Sequence, residues 1–136
     1  MLPFRVELKA GESPYRQVVY AATRAVVAGD LLPGSPFPSV RELSAAVKIN
    51  PNTAHKVVAE LVRSGILEVR PGIGTVVAAT RRVSVEDRRQ LLSDEVEVLV
   101  VEAKRLGLTR EDVVQAVEER WSELTSQDGD RAQRRT

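Results

Sequence analysis

The amino-acid sequence predicts a mainly α protein, with one small β-hairpin in its N-terminal part and a pair of helices in its C-terminal part. Apolar residues recur every three or four positions behind residues that commonly cap helices, which is the helical signature. Two runs rich in β-branched residues, "ILEV" and "TVVA", bracket "RPGIG", which predicts a hairpin with a glycine-containing tip. The chain of 136 residues is 43% hydrophobic and 29% charged, the composition of an ordinary globular protein.

The first helix is predicted to begin after Ser13. Serine is a favoured N-cap, Pro14 suits the first helical position because its missing N–H costs nothing there, and Gly29 is a natural stop. Before this helix, "FRVEL" (residues 4–8) alternates apolar and charged residues, which predicts a short edge strand. After it, "LLPGSPFP" contains three prolines and a glycine and is predicted to be a loop.

Two further helices follow with only a short turn between them. Ser39 and Glu42 have the spacing of a capping box at the start of the second helix. The third helix is predicted from Pro51 to Ser64. Two helices joined by a short turn form a helix-turn-helix, and a hairpin after them makes a winged helix. Residues 1–79 are therefore predicted to be a winged helix-turn-helix domain that binds DNA.

The C-terminal part is predicted to be a two-helix dimerisation hairpin that spans residues 80–126. Ser84 and Thr109 are the expected N-caps of its helices. Apolar residues step along both helices by three and four positions, as in a coiled-coil seam. These residues are Leu92, Val96, Leu99, Ala103, Leu106, Val114, Val117, Trp121 and Leu124. Residues 127–136 are polar and lack an apolar stripe, so a disordered tail is expected there.

The first helix of this hairpin is apolar on more than one face, because Val98 and Val101 lie outside the seam. Packing of each helix against the winged helix of its own chain is the alternative explanation for the stripes. A two-helix hairpin cannot cover both faces of such a helix by itself, whereas a symmetric partner can. The stripes therefore predict a homodimer whose interface is this hairpin.

The composition excludes several classes of function. The chain has no cysteine and one histidine, so no thiolate site or histidine cluster can hold a metal, and His55 is not expected to be a ligand. The sequence contains no P-loop and no nucleophile with a base partner, so neither a cofactor nor an enzymatic activity is expected. The charged N-terminus is unlike a signal peptide, and no apolar run approaches the ~18 residues of a membrane span. A cytoplasmic protein without a membrane partner is predicted.

The start of the third helix carries the residues best suited to contact DNA. A recognition helix places its N-terminal residues at base edges in the major groove, where Asn can form two hydrogen bonds with adenine. The predicted contact residues are Asn50, Pro51, Asn52, Thr53, His55 and Lys56. Ordinary helix capping is the alternative for Asn50 and Pro51. The charge distribution has the matching sign, since residues 1–80 carry nine Lys or Arg against six Asp or Glu, a net +3.

Two neighbouring elements extend this predicted surface. Arg41, early on the second helix, is placed to bind a phosphate or a guanine edge; the alternative is a surface arginine paired with Glu42 or Glu68. The hairpin tip supplies Arg70, Gly72 and Gly74. Glycines let backbone N–H groups approach a phosphate closely, although a plain hairpin turn would use the same residues.

The segment "LLPGSPFPSVRELSAAVKINPNTAHKVVAELVRSGILEVRPGIGTVVA" resembles the winged helix-turn-helix domain of the GntR family of bacterial transcription regulators. The matching elements are Pro33-Gly34, "PSVREL", "NPNT", the end of the third helix and "GIGTVV". Together they cover about residues 10–79. The short C-terminal part is similar to the YtrA-type subfamily, since residues 80–136 leave no room for a larger ligand-binding or aminotransferase-like domain.

The resemblance implies binding to double-stranded operator DNA as a dimer. It implies contacts from Arg41, Asn50, Asn52, Thr53, residue 55 and the wing glycine Gly72. The family often has arginine where this chain has His55, which removes one expected charge contact and bears on base preference. Members of the subfamily commonly repress operons that include ABC transporter genes.

The residues and the resemblance together predict a sequence-specific DNA-binding transcriptional regulator, a repressor that binds a pseudo-palindromic operator as a homodimer. The alternative is a winged-helix protein-interaction module without specific DNA binding. An unknown small-molecule effector is left open, since a cleft between the helices of the dimer would accept at most a modest hydrophobic ligand.

Overall fold

The computed structural model describes the backbone of residues 2–80 and 82–134 and the side chains of residues 2–80 and 82–124. The chain divides into two compact units, of which the first ends at Arg82 and the second begins at Val83. The sequence places the division after residue 79, three residues earlier.

The first unit contains three helices and one two-stranded antiparallel sheet among its described residues. They are α1 (Pro14–Val27), α2 (Val40–Val47), α3 (Pro51–Arg63), β1 (Leu67–Arg70) and β2 (Gly74–Val77). The register of the sheet pairs Leu67 with Val77 and Arg70 with Gly74. This arrangement of a helix-turn-helix followed by a hairpin confirms the predicted fold class.

The starts of α1 and α2 are set by serine side chains. Ser13 Oγ accepts a hydrogen bond from the N–H of Arg16 at 3.3 Å, and Ser39 Oγ accepts one from the N–H of Glu42 at 3.1 Å. The Ser39 hydroxyl also donates to the Glu42 carboxylate at 3.1 Å. Such bonds satisfy N–H groups that the first turn of a helix leaves without a partner, so a short local sequence is enough to start each helix.

The core of the first unit lies where its helices meet the sheet. Its largest fully buried side chains are Leu43, Leu61, Leu67, Val18, Val57 and Val77. Each helix supplies one apolar stripe to this core, and each buried branched side chain stabilises the fold by about 1.5–3 kcal/mol. The first unit therefore closes a core of its own and holds α3 on a rigid support.

The expected edge strand at residues 4–8 is wrong. Phe4 is instead buried, and its ring stacks on that of Phe37 with the ring centroids 5.6 Å apart. The free edge of β2 is occupied by the loop before α2, in which Pro36 bridges Val76 and the N–H of Phe37 donates to the Thr75 carbonyl at 2.9 Å. An alternating segment needs an open sheet edge to become a strand, and the edge at β2 is already used.

The second unit consists of helices among its described residues. They are α4 (Val85–Gln90), α5 (Val96–Arg105) and α6 (Arg110–Arg134), with a π-helical turn at Leu91–Glu95 that joins α4 to α5. The first predicted helix of the hairpin is thus present, with one widened turn that apolar steps of three and four positions did not indicate. None of the described helices is long and apolar enough to cross a membrane.

The connection between α5 and α6 is closed by local hydrogen bonds. Gly107 adopts a φ of 74°, and the N–H of Leu108 donates to the Ala103 carbonyl at 2.9 Å. Thr109 and Asp112 form a capping box, in which the Thr109 N–H donates to the Asp112 carboxylate at 2.9 Å. That bond lowers the pKa of Asp112.

The backbone of α6 continues past residue 126 into the segment where a disordered tail is expected. It is helical as far as Arg134. Arg135 and Thr136, the end of the predicted tail, lie outside the described residues.

Candidate nucleic-acid interface

The turn between α2 and α3 sets the position of α3. Lys48 ends α2 in the left-handed conformation, with a φ of 61°. The Ser44 hydroxyl donates to the Ile49 carbonyl at 2.7 Å, and the Ile49 N–H donates to the Ser44 carbonyl at 3.2 Å. These bonds close the turn tightly, so Asn50 is already the residue that begins the next helix.

The start of α3 is capped by Asn50. Its Oδ1 accepts a hydrogen bond from the N–H of Asn52 at 2.8 Å, and Pro51 occupies the first helical position. Capping is therefore a structural role of Asn50 and Pro51, and their contact with DNA stays a prediction. The same cap leaves Asn52 exposed on the first turn, so capping and exposure of the helix start occur together.

The outer face of α3 carries polar residues at helical spacing. Ala54, Val57 and Leu61 are buried in the core. The face opposite to them carries Asn52, His55, Lys56, Ala59 and Arg63, all of which are exposed. Thr53 lies at the edge of this face and is half-buried. A small residue at position 59, between longer polar ones, leaves room for a large surface such as DNA to approach the helix axis.

A shallow cleft of about 720 Å³ lies beside this face. Tyr15, at the start of α1, lines it together with Thr53, Lys56, Glu60 and Arg63. Tyr15 and Arg63 are absent from the residues that the sequence nominated. The signal for Arg63 was present, since it follows Lys56 by seven positions on one helix face. Tyr15 could not be found in this way, because its proximity to α3 arises from packing between helices.

Arg63 is paired with a carboxylate on the same helix. Its Nε and Nη2 donate to the Glu60 carboxylate at 2.7 and 2.6 Å. These bonds lower the pKa of Glu60, so the pair is ionic at neutral pH. The negative charge of Glu60 offsets that of Arg63, which leaves Lys56 as the stronger attraction for a phosphate in this cleft.

Arg41 lies exposed on the first turn of α2. In the part of the chain that the structure describes, it forms neither of the ion pairs considered as alternatives. The Glu42 carboxylate accepts from Ser39, and the Glu68 carboxylate accepts from Arg70. The Arg41 side chain is thus available to an external anion.

At the wing, the predicted contact residue Arg70 forms an ion pair within the hairpin. Arg70 is held by Glu68, with Nε and Nη2 3.0 and 2.9 Å from the carboxylate oxygen. Gly72 and Gly74 have φ values of 78° and 112°, a left-handed region that favours glycine. The residue between them, Ile73, is exposed and was not nominated from the sequence.

The second unit presents an apolar groove between α5 and α6. It has a volume of about 430 Å³ and a lining that is almost wholly apolar. Six of the nominated interface residues line it, namely Leu99, Ala103, Leu106, Val117, Trp121 and Leu124. Leu92, Val96 and Val114 do not line the groove and are exposed.

The groove residues are largely open to solvent within one chain. Ala103 is 6% exposed, whereas Leu99 is 46% and Trp121 is 70% exposed. An apolar surface of this kind usually marks a site of interaction with another molecule. The charged residues at its rim include Glu102, whose carboxylate is bonded by Arg105, an interaction that lowers the pKa of Glu102.

The described residues contain no group of three or more His, Cys, Asp or Glu side chains placed to hold a metal ion. The surface that the structure does assemble combines hydrogen-bonding and cationic side chains on one convex helix face. This chemistry suits the grooves and phosphates of a nucleic acid.

Comparisons with known proteins agree with this geometry. Residues 14–77 match the family described as bacterial regulatory proteins, gntR family. The HTH-type transcriptional regulator YhcF of Bacillus subtilis is 33% identical over 111 residues, which cover 82% of this chain and 92% of that protein. The HTH-type transcriptional repressor YtrA of Bacillus subtilis is 28% identical over 116 residues, which cover 85% of this chain and 89% of that protein.

A solved structure extends the likeness to most of the chain. The transcriptional antiterminator from Listeria monocytogenes EGD-e superposes with a TM-score of 0.78 at 24% identity, over 89% of this chain and 91% of that one. At this level of identity the likeness concerns the fold. It includes both the winged helix and much of the C-terminal helical unit, because the coverage extends beyond the residues of the first unit.

Proposed function

The chain belongs to the GntR family of bacterial regulatory proteins and is a DNA-binding transcriptional regulator, and we propose that it represses transcription by binding a pseudo-palindromic operator as a homodimer. The homologues are transcriptional regulators rather than enzymes. The observation that carries the proposal is the outer face of α3, where Asn52, His55 and Lys56 are exposed together behind a capped helix start.

In the proposed complex, the start of α3 enters the major groove. Asn52 and Thr53 supply short hydrogen-bonding side chains for base edges, and Lys56 supplies a cation for the adjacent phosphates. Arg41, which α2 presents without an ion pair to Glu42 or Glu68, binds a phosphate or a guanine edge beside it. Phosphate contacts then provide much of the affinity, so binding weakens steeply as salt is raised.

The proposed homodimer forms through the groove of the second unit. The partner's equivalent residues cover the exposed side chains of Leu99, Val117 and Trp121. A two-fold axis through this interface presents two copies of α3 to the DNA, which is why the operator should be pseudo-palindromic. A hydrophobic effector of modest size would compete for, or share, this same apolar surface.

Repression is proposed from the relative YtrA, which is described as a repressor. A bound dimer covers promoter DNA without needing any further activity. The proposed compartment is the cytoplasm, where a bacterial regulator meets the chromosome.

The test is a selection of duplexes bound by the wild-type protein from random DNA, followed by titration of the enriched site. Arg41→Ala and Thr53→Ala should each weaken binding to this site by about tenfold or more, since a good base or phosphate contact is worth about 1–3 kcal/mol. Arg24→Ala is the matched control, because Arg24 is an exposed arginine in the last turn of α1. Normal binding by both Arg41→Ala and Thr53→Ala would show that the assigned surface is wrong.

The alternative of a winged-helix protein-interaction module predicts a different result. Wild-type protein would then enrich no DNA sequence, and its residual DNA binding would be equal for all duplexes.

A further inference from the structure

The N-terminal segment "FRVEL" (residues 4–8) leaves its backbone unpaired at the surface of the first unit. It has no regular secondary structure, although its sequence alternates as a strand does. Among the described residues, no N–H or carbonyl of residues 4–8 takes part in a hydrogen bond. A run of unpaired backbone groups is what an added strand binds.

Both ends of this segment are anchored. At one end the Phe4 ring stacks on that of Phe37. At the other end the Lys9 N–H donates to Gln17 Oε1 at 2.7 Å, and Gln17 Nε2 donates to the Lys9 carbonyl at 3.3 Å. An open cleft of about 1100 Å³ lies between the segment and α1. The backbone between the anchors is therefore held in place and accessible, which lowers the entropy cost of binding.

The side chains of the segment alternate in their exposure. Phe4 is buried and Val6 is half-buried against the core, whereas Arg5 and Glu7 are exposed. Among the described residues, neither Arg5 nor Glu7 forms an ion pair or a side-chain hydrogen bond. The outer face of the segment thus offers one cation and one anion, two positions apart and both unused.

The segment is complementary to a second copy of itself. Antiparallel pairing centred on Val6 places Arg5 of each copy opposite Glu7 of the other, and Phe4 opposite Leu8. Opposite charges in directly opposed positions stabilise such a pair, whereas parallel pairing in register would oppose like charges. The antiparallel pair also has a two-fold axis through Val6, as an interface between identical chains requires.

We propose that residues 4–8 of two copies of this chain pair as antiparallel strands centred on Val6. This contact goes beyond the proposed function, because it involves neither DNA nor the groove of the second unit. A two-stranded ribbon is only marginally stable by itself. The pairing therefore acts where another contact already brings two copies together. It also accounts for a strand pattern that no sheet edge of the same chain uses.

Cross-linking of engineered cysteines tests both the contact and its register, since the chain has no cysteine of its own. Arg5→Cys and Glu7→Cys are prepared as separate full-length proteins and oxidised mildly, alone or mixed. Directly opposed strand positions have Cα atoms about 4.5–5.5 Å apart, within disulfide range. Two copies of one variant place their cysteines diagonally, about 7–8 Å apart. The mixture should therefore form disulfide-linked dimers about tenfold faster than either variant alone.

The matched control mixes Arg16→Cys with Glu7→Cys. Arg16 is an exposed arginine on α1, so this mixture should cross-link no faster than the single variants. Circular dichroism should be unchanged in every variant, because the replaced side chains are exposed.

The ion pair that remains in the mixture provides a rescue test. Adding Glu7→Arg to the Arg5→Cys chain opposes two arginines and should slow cross-linking by about fivefold. Adding Arg5→Glu to the Glu7→Cys chain then opposes unlike charges again and should restore the rate.

Two results would overturn the proposed pairing. One is a mixture that cross-links no faster than the single variants. The other is slowing by Glu7→Arg that Arg5→Glu does not reverse, because the two segments would then be close without pairing in this register. Either result leaves the proposed DNA binding untouched, since no DNA is present in the experiment.

Discussion

The two units of this protein bury their apolar residues to very different extents. In the first unit, six large side chains from three helices and the hairpin are fully buried. In the second unit, Ala103 is the one buried side chain among those described, and Val113 and Leu124 are half-buried. The first unit has a core of its own, whereas the second leaves most of its described apolar side chains exposed.

This difference separates two uses of an apolar stripe. In α3 the stripe faces inward, so its opposite face is free to be polar and to meet DNA. In α5 the seam residue Leu99 and the outlying Val98 are both exposed, so packing within the second unit covers neither of them. Proteins seldom expose such surfaces without a partner.

The largest expected effect comes from opening the core of the first unit. Leu61→Ala removes a fully buried side chain of α3. It should lower the free energy of unfolding by about 2–5 kcal/mol, because the core loses the contacts of the leucine side chain and is left with a cavity in its place. Val85→Ala, at an exposed position of the second unit, should change it by less than about 0.5 kcal/mol. Urea denaturation followed by circular dichroism measures both. Similar losses in the two variants would contradict the contrast between the units.

A charge in the groove of the second unit should have the next largest effect. Leu99→Asp would place a carboxylate in the proposed interface, and an uncompensated buried charge costs about 3–5 kcal/mol, so self-association should weaken more than a hundredfold. Sedimentation equilibrium would follow the shift from dimer to monomer. Trp121 is the single tryptophan of the chain and lines the same groove, so its emission should shift to the red in the variant.

The control for this variant is Val85→Asp. Val85 is 81% exposed and occupies the first turn of α4, where a negative charge is favourable. Its sedimentation profile should match that of the wild-type protein. A dimer that survives Leu99→Asp would place the interface elsewhere.

A smaller effect is expected from adding a charge to the DNA-facing side of α3. His55→Arg should raise affinity for the selected site and steepen the salt dependence, because each new phosphate contact adds about 0.9 to the logarithmic slope. A dimer carries two such positions, so the slope should change by about 1.8. Tyr20→Arg adds the same charge at an exposed position of α1 and controls for net charge. Equal slopes for wild-type protein and His55→Arg would show that position 55 contacts no phosphate.

The smallest effect concerns the pair of Glu60 and Arg63. Glu60→Gln should lower the stability of the first unit at pH 7 by no more than about 1 kcal/mol, since the pair is partly exposed. The hydrogen bonds from Arg63 lower the pKa of Glu60 in the folded state below its ordinary 4.5. The stabilisation is therefore present above about pH 4.5 and is lost as pH falls through the lowered folded pKa.

Denaturation curves at several pH values would test this sign. The difference between Glu60→Gln and wild-type protein should shrink as the solution is acidified below pH 4.5. Glu86→Gln is the control, because Glu86 forms a similarly spaced but more exposed pair with Arg89 in the second unit. A difference that grows toward acid pH would contradict the assigned cause. The same Glu60→Gln change should strengthen DNA binding, because it leaves the charge of Arg63 uncompensated.

The predictability of the candidate site differed between its local and its long-range features. The start of α3 could be predicted because Asn50 and Pro51 act on their own first turn. The exposed positions of Asn52, His55 and Lys56 then follow from helical spacing. The sequence offered Glu68 as an alternative partner for Arg41, whereas the structure pairs Glu68 with Arg70. The sequence does not show which side chains a hairpin brings together. The position of Tyr15 beside α3 depends on how two helices cross, which no local pattern encodes.

By itself, the sequence determined the helix starts, the apolar stripes and the order of elements, because caps and periodicity act over a few residues. It also determined the family, through motifs spread over the winged helix. Only the tertiary structure decided the fate of residues 4–8, where Phe4 joins the core against Phe37 while Pro36 and its neighbours occupy the edge of β2. It also decided that packing within the second unit leaves the groove between α5 and α6 open. Such outcomes depend on which distant segments compete for the same surface, and that competition is settled only when the whole chain has packed.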